Sequence, residues 1–185
     1  MLYWTKFTVP LGTVILASDG EALCGLWFQG QKYFSASILD GMYQKDDLEI
    51  FQRTEDWIQR YFEGKRPEIN ELPLRPAGSQ FRQSVWKILC EIPYGEVTTY
   101  GEVARKAAKE RNLERMSPQA VGGAIGHNPI SIIIPCHRVI GSDGSLTGYA
   151  GGIERKKKLL EHEGAVLQPL RNRKGETGWS GKMGK

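Results

Sequence analysis

Cysteine is scarce in this chain of 185 residues, and its three cysteines form no recognisable pattern. Cys24, Cys90 and Cys136 lie far apart and include no CxxC pair. Neither a disulfide framework nor a cysteine-rich zinc site is therefore expected. Sparse, unpaired cysteines are typical of a reducing compartment, so we predict a cytoplasmic protein with no metal and no cofactor.

Long apolar runs are also missing from the sequence. No stretch approaches the roughly 18 residues that a membrane-spanning helix needs, so no membrane association is expected. Residues 1–6 show no basic region followed by an apolar core, so no signal peptide is predicted.

The formal charge of +4 is distributed unevenly along the chain. Residues 1–78 contain 8 Lys and Arg against 11 Asp and Glu, whereas residues 79–185 contain 17 against 10. Part of this excess lies in residues 171–185, which we predict to be a flexible basic tail. Positive charge attracts a polyanion without sequence preference, so nucleic acid is one candidate partner of the second half.

The order of the local patterns predicts an α+β protein in two parts. Residues 1–78 contain three short β-rich segments separated by turn signals, then an apolar helical face that Trp57 and Tyr61 widen, then a proline-rich linker. Cys24 is interpreted as a packing residue in the third of these strands. Residues 79–170 are predicted to form the second part, in which helices dominate.

Three helix starts can be recognised in that second part. Ser79 can cap the first helix, at whose end Cys90 is interpreted as a packing residue. Thr99 and Glu102 match the capping-box pattern of the second helix, and Ser117 is predicted to be the N-cap of the third, with a proline at its first position. Two short helices joined by a turn and followed by a strand suggest a helix-turn-helix with a β-wing.

The third helix carries the small, uncharged segment Ala120-Val121-Gly122-Gly123-Ala124. Glycine destabilises a helix by on the order of 1 kcal/mol relative to alanine, so two adjacent glycines require a reason. One reason is close packing against a neighbouring helix, and the other is close approach to nucleic acid. A slim helix of this kind fits the narrow minor groove better than the wide major groove.

The pentapeptide Ile134-Pro135-Cys136-His137-Arg138 places a thiol beside an imidazole. The apolar run that begins at Ile130 predicts a strand, which Pro135 ends. Cys136 is then a candidate nucleophile with His137 as its base, and the alternative is a buried structural thiol. We interpret Arg138 as a structural residue that ties the turn to a carboxylate.

Together these motifs resemble the O6-alkylguanine-DNA alkyltransferases, also called methylated-DNA–protein-cysteine methyltransferases. The resemblance covers about residues 79–166, and residues 1–78 resemble the family's ribonuclease H-like N-terminal domain in length and layout. The second part would then be a winged helix-turn-helix-like alkyltransferase domain. The motifs that carry the resemblance are FRQ at 81–83, PYGEVTTY at 93–100, AVGGA at 120–124, NP at 128–129, IPCHRV at 134–139, TGYAGG at 147–152 and HEG at 162–164.

The resemblance implies DNA repair, in which Cys136 accepts a methyl or alkyl group from O6 of a guanine flipped out of the duplex. Each molecule would act once, since nothing regenerates the thiol. His137 and Glu163 would relay the thiol proton, with a water between His137 and the sulfur. Asn128 would brace the active-site turn, and Tyr100 would help to rotate the nucleotide and protonate guanine N3.

The resemblance also implies how the base and the DNA are bound. The carbonyls of Cys136 and Val139 would read the guanine amino group, and Tyr149 and Ala150 would line the pocket near O6. A monomer would bind double-stranded DNA containing O6-alkylguanine through the minor groove, and activity on O4-alkylthymine stays open. The residues implied to contact DNA are Gln119, Ala120, Gly122 and Gly123.

Two features leave alternatives open. Gln119 stands where much of the family has an arginine that fills the gap left by the flipped base. It either fills that gap with less electrostatic help or is a surface residue. Lys156, Lys157 and Lys158 are interpreted as a solvated helix face, with phosphate contact as the alternative.

Three rival functions differ in kind from the repair reaction. A damage-recognition module would bind alkylguanine DNA without efficient transfer, but such proteins carry a non-nucleophilic residue in place of Cys136. A cysteine hydrolase would need donors for an oxyanion, for which no motif is found. A helix-turn-helix regulator would normally offer base-reading side chains, whereas this recognition helix is mostly alanine and glycine.

Overall fold

A computed structural model describes residues 1–165 of the chain. Its first part contains a four-stranded sheet with the strand order β3-β2-β1-β4. The strands β1 to β3 run antiparallel, and the three predicted β segments are confirmed. The fourth strand, which is parallel to β1, was not predicted because it has only two residues, both exposed. The strands are β1 (Tyr3–Val9), β2 (Gly12–Ser18), β3 (Leu23–Phe28) and β4 (Tyr43–Gln44).

The helix α1 (Glu49–Phe62) packs against this sheet. Its apolar residues recur on one face, as the sequence predicts, and that face is buried. Burial of this face stabilises the helix, whose N-cap residue, Leu48, makes no side-chain hydrogen bond to the first turn. The buried residues of the helix are Ile50, Phe51, Thr54, Trp57, Ile58 and Tyr61.

The second part begins with three helices whose predicted starts are confirmed at α2 (Gln80–Leu89), α3 (Tyr100–Glu110) and α4 (Pro118–Gly126). Ser79 Oγ accepts the Arg82 amide, and Thr99 and Glu102 form a complete capping box. Ser117 precedes α4 without capping it, because its hydroxyl lies 2.8 Å from Gln119 Oε1.

The α+β class is confirmed, although the predicted wing is small. The pair β5 (Thr98–Thr99) and β6 (Val139–Ile140) is parallel and only two residues long. The chain then turns and enters α5 (Ile153–His162), which leads to Glu163.

The predicted strand before Cys136 is wrong. Ile130 forms a single bridge to Leu26, after which the chain turns, and residues Cys136–Arg138 form one 3₁₀ turn. The apolar run has the length of a strand, but it is buried on all sides and bends sharply at Ile132, whose φ of 69° is rare for a β-branched residue. Cys136 and His137 therefore do not occupy opposite faces of a strand.

The two parts of the molecule share one hydrophobic core. The edge of β3 also binds the segment that leads to Cys136. The Leu26 amide donates to the Pro129 carbonyl at 2.8 Å, and the Ser131 amide donates to the Leu26 carbonyl at 2.8 Å. The N-terminal sheet therefore positions the cysteine-bearing turn.

No helix within residues 1–165 is long and apolar enough to cross a membrane. The predicted basic tail, residues 171–185, lies outside the described residues.

Candidate active site

Cys136 is held in its turn by the side chain of Asn128. The Asn128 amide nitrogen donates to the Ile134 carbonyl at 2.8 Å and lies 3.1 Å from Cys136 Sγ. Asn128 Oδ1 accepts the Ile130 amide at 3.0 Å, so one buried amide fixes both sides of the turn. Cys136 is only 5% exposed, so its side chain is almost fully shielded from solvent.

His137 and Glu163 meet beneath this turn. His137 Nε2 lies 2.7 Å from Glu163 Oε1, and both side chains are fully buried. The other ring nitrogen, Nδ1, is buried and has no hydrogen-bond partner among the described residues. A ring that donates to the carboxylate from Nε2 leaves a lone pair on Nδ1, which can accept a proton or a water.

Glu163 receives further donors around its carboxylate. Arg138 donates from Nε to Oε2 at 2.8 Å and from Nη2 to Oε1 at 3.0 Å. The Gly95 amide donates to Oε2 at 3.1 Å. Arg138 therefore has the contact predicted for it, a carboxylate tied to the turn.

One donor to this carboxylate comes from the N-terminal part of the molecule. Tyr61 Oη donates to Glu163 Oε1 at 2.7 Å. The sequence pattern places Tyr61 only on the apolar face of α1. Nothing local to the residue indicates that its hydroxyl reaches the site.

The protonation states follow from burial and from these contacts. Burial raises the pKa of the Cys136 thiol, although Asn128 and the Lys156 charge oppose that rise. Burial also lowers the pKa of His137, so the imidazole is neutral at neutral pH. Burial alone would raise the pKa of Glu163, but its contacts to His137 and Arg138 hold that pKa below its usual range.

Lys156 was interpreted as part of a solvated helix face, and that interpretation is wrong. Lys157 and Lys158 are exposed, but Lys156 is 0% exposed. Its Nζ donates to the Val139 carbonyl at 2.5 Å and to the Thr147 carbonyl at 2.8 Å. Burial lowers the pKa of this lysine to about 8. Every third or fourth residue of α5 faces the core, and Lys156 falls on that face with Leu159 and Leu160.

Tyr100 lies at the start of α3 and reaches the same loop. Its hydroxyl donates to the Thr147 carbonyl at 2.8 Å. Gly148, with a φ of 73°, allows this approach, because a Cβ there would lie 2.7 Å from the Tyr100 hydroxyl. Tyr100, Thr147 and Lys156 therefore form a second polar cluster beside Cys136.

The residues implied to bind the base surround this cluster. Val139 is buried, and its carbonyl already accepts Lys156. Tyr149 is 8% exposed, and its hydroxyl has no partner among the described residues. Ala150 is half-buried, and its carbonyl accepts the Lys32 amide of the N-terminal part at 3.0 Å.

The helix α4 divides into a buried and an open face. Val121, Ala124 and Ile125 are buried. The other face is exposed at Gln119, Ala120 and Gly123 and half-exposed at Gly122. No atom would lie within 4 Å of a Cβ at Gly123, so packing within the protein does not require that glycine.

We searched residues 1–165 for side chains grouped closely enough to bind a metal ion. These residues contain no group of three or more His, Cys, Asp or Glu side chains that could hold a metal ion.

Comparison with known families covers both parts of the chain. The model described as "6-O-methylguanine DNA methyltransferase, DNA binding domain" matches residues 80–165. The model described as the ribonuclease-like domain of the same methyltransferase matches residues 2–76.

Curated relatives and solved structures agree with the family models. The chain is 41% identical over 162 residues to a methylated-DNA–protein-cysteine methyltransferase of Haemophilus influenzae, covering 88% of this chain and 86% of that protein. The O6-methylguanine methyltransferase of Mycobacterium tuberculosis is similar in structure, with a TM-score of 0.77 and 39% identity over 89% of this chain and 93% of that one. A structure of the M. tuberculosis protein in complex with DNA has a TM-score of 0.76 and 39% identity, covering 88% of this chain and 92% of that one.

Fold and relatives together define a DNA-binding enzyme of the methylated-DNA–protein-cysteine methyltransferase class. The chain belongs to the 6-O-methylguanine DNA methyltransferase family, so the resemblance seen in its motifs is confirmed.

Proposed function

We propose that this chain repairs double-stranded DNA by moving a methyl or larger alkyl group from O6 of guanine to Cys136 Sγ. The observation that carries the proposal is the buried His137–Glu163 pair, which leaves Nδ1 of the imidazole next to Cys136 without a hydrogen-bond partner among residues 1–165. Such a pair is what a thiol needs when burial raises its pKa, because a thiolate attacks far better than a thiol.

The step balances in protons and electrons. The Cys136 proton moves to Nδ1 of His137, directly or through a water, and Glu163 stabilises the imidazolium through Nε2. The thiolate then forms an S–C bond to the alkyl carbon while the C–O6 bond breaks. The electron pair of that bond stays on guanine, which takes up a proton. The product thioether is stable, and no group in the site can regenerate the thiol, so each molecule acts once.

Burial of the sulfur requires the base to leave the duplex. O6 lies in the pairing region of a base pair, where a side chain that is 5% exposed cannot reach it. Flipping costs a few kcal/mol, and less for a poorly paired alkylguanine. Tyr100 donates its proton to Thr147 in the resting site, so protonation of guanine N3 requires that hydrogen bond to exchange.

Intact-mass measurement tests the transfer. The protein is incubated with a duplex that contains one O6-methylguanine, and we expect a single mass increase of one CH2 unit on Cys136. Cys136→Ser should show none while still binding the duplex. DNA binding by the wild type without a mass increase would favour damage recognition without transfer, and repeated turnover would point to a hydrolase.

The open face of α4 supports binding in the minor groove of DNA, and the family resemblance suggests that the protein binds as a monomer. Its small residues allow the helix backbone to approach DNA closely, which a narrow groove requires. Residues 1–78 and 79–170 would act as two domains, of which the second binds the DNA.

Gln119 would fill the gap left by the flipped base. Its side chain is exposed, so substitutions should change the free energy of unfolding by less than about 0.5 kcal/mol. We expect Gln119→Ala to slow transfer several-fold, and Gln119→Arg to raise DNA affinity with a salt dependence steeper by about one phosphate contact. Single-turnover rates and a salt titration of binding measure both. If neither variant changes either quantity, Gln119 is a surface residue.

A further inference from the structure

The hydroxyl of Tyr61 joins the N-terminal part of the molecule to the buried carboxylate. Tyr61 lies near the end of α1 and is 1% exposed. Its Oη donates to Glu163 Oε1 at 2.7 Å, although the two residues are 102 positions apart in the chain. A buried phenol hydroxyl aimed at a charged group is a strong hydrogen bond, because the acceptor is ionised and water is excluded.

The Tyr61 ring is fixed by its neighbours. It stacks on Trp57 at 5.7 Å between centroids and meets the edges of Phe62 and Tyr94. His162 Nε2 donates a hydrogen bond to the Tyr61 carbonyl at 2.8 Å. The hydroxyl therefore has one available position, which is at Glu163.

Tyr61 shares its acceptor atom with the imidazole. Glu163 Oε1 receives Tyr61 Oη, His137 Nε2 at 2.7 Å and Arg138 Nη2 at 3.0 Å. A donor on this oxygen reduces the negative charge that the imidazole experiences. It also prevents the carboxylate from rotating away from the ring.

We propose that Tyr61 is a positioning residue of the alkyl transfer, through which the N-terminal part sets the basicity of His137. The inference rests on the proposed function, because it assigns His137 as the base. Tyr61 touches neither the substrate nor the sulfur in this role and acts only through Glu163.

The direction of its effect follows from the charges around Glu163. Loss of the Tyr61 hydroxyl leaves more negative charge on Oε1, which favours the imidazolium, so His137 would be protonated at higher pH. Arg138 still neutralises the carboxylate, which limits the effect. The titratable and charged groups that act on this carboxylate or on the His137 ring are Tyr61 from α1, Tyr94 from the segment before β5, Arg138 from the cysteine-bearing turn and Lys156 from α5.

Tyr61→Phe removes the hydroxyl and keeps the ring packing. The rate of methyl transfer to Cys136 is measured by intact mass in single turnovers over a range of pH. We expect the rate at the optimum to fall roughly tenfold, because a carboxylate that has lost this donor can rotate away and holds the imidazole less firmly in its working position. We also expect the acid limb of the profile to move upward by roughly half to one pH unit.

Tyr94→Phe is the matched control. It removes a hydroxyl from the same aromatic cluster, but that hydroxyl donates to the His162 carbonyl at 3.4 Å and not to the carboxylate. Its pH profile should keep the wild-type midpoint. If the rate-against-pH profile of Tyr61→Phe has the same midpoint as that of the wild type and differs only in height, Tyr61 is a packing residue and the inference is wrong.

A second readout does not depend on DNA. In protein labelled with ¹⁵N-histidine, the Nε2 proton of His137 should give a slowly exchanging resonance, which Tyr61→Phe shifts downfield. If that variant does not fold, difluorotyrosine at position 61 keeps the hydroxyl, strengthens it as a donor and should shift the resonance upfield. An unchanged resonance refutes the inference. If the mass of the wild-type protein does not increase by one CH2 unit after incubation with the O6-methylguanine duplex, the proposed function is wrong, independently of the resonance shift.

Discussion

Replacing Glu163 with Gln should slow methyl transfer to Cys136 by about 10²- to 10⁴-fold, the usual contribution of general acid–base catalysis. The carboxylate is the only group within residues 1–165 that hydrogen-bonds the His137 ring, and in the proposed mechanism its charge stabilises the imidazolium that forms as the thiol ionises. An amide at this position keeps the shape of the side chain and loses the charge. Single-turnover rates measured by intact mass provide the test.

The same substitution should also destabilise the fold. Arg138 is buried with an 8% exposed side chain, and Glu163 is its counter-charge. Breaking a buried ion pair by removing one partner costs about 3–5 kcal/mol, because the remaining charge stays in a dry environment. Urea unfolding at neutral pH measures this loss.

Glu163→Gln should also change how the stability of the fold depends on pH. The pKa of Glu163 in the folded state lies below its usual value of 4.5, so the carboxylate stabilises the fold fully above pH 4.5. That contribution is lost as the pH falls from 4.5 through the lower folded-state pKa. Glu163→Gln removes the group that titrates, so the difference in stability between wild type and variant should shrink on acidification.

Glu161→Gln, in the last turn of α5 and two residues before Glu163, provides the control. Glu161 is exposed, and its charge contact to Lys157 is 3.9 Å long, so the change should stay within about 0.5 kcal/mol. If Glu163→Gln were equally mild in both rate and stability, the buried pair would have neither the catalytic nor the structural role argued for it.

The parts of the fold that sequence predicts best are those set by local chemistry. Ser79 and Thr99 cap helices through contacts to residues three positions away, and such contacts can be read directly from the sequence. Cys136, His137 and Glu163 were also predicted together, but through family motifs and not through spacing. The parallel strand β4 was not predicted, and the wing was not predicted at its true size, because these strands have only two residues each and show no alternation.

The errors lie where tertiary contacts decide the outcome. The run from Ile130 to Ile134 has the composition of a strand, but Asn128 supplies hydrogen bonds that a strand partner would otherwise supply. Tyr61 resembles any aromatic residue on an amphipathic helix until a carboxylate 102 positions away is brought to it. The Asn128 contacts span only two and six positions but follow neither helix nor strand periodicity, and the Tyr61 contact is far longer than any local sequence window.

The interpretation of Lys156 as a solvated residue is the clearest such error, and replacing this lysine should have a large effect on the transfer. Lys156→Met keeps the length of the side chain but removes a buried cation that lowers the pKa of the Cys136 thiol. We expect the transfer rate at neutral pH to fall about tenfold or more, because a nearby opposite charge changes a pKa by about one to three units. The ratio of wild-type to variant rates should be largest below pH 8 and should shrink as Lys156 loses its proton.

The stability of the wild type relative to Lys156→Met should rise between about pH 8 and 10.5. Burial lowers the pKa of Lys156 from 10.5 to about 8, so folding disfavours the charged form and the unfolded chain binds more protons in this interval. The cost of burying the charge is complete below pH 8 and disappears above 10.5, and it corresponds to about 3 kcal/mol. Urea unfolding of both proteins at several pH values measures the difference.

Lys157→Met separates this effect from a general change in charge. Lys157 follows Lys156 in the chain but is exposed, so its removal should leave both the transfer rate and the pH dependence of stability close to wild type. If the difference in stability between wild type and Lys156→Met does not change with pH, the pKa of Lys156 is the same in the folded and unfolded protein. Its hydrogen bonds to the Val139 and Thr147 carbonyls would then support the loop but not the thiolate. If instead the stability difference rises with pH and the variant also transfers the methyl group more slowly, the buried cation contributes to ionisation of the buried Cys136 thiol.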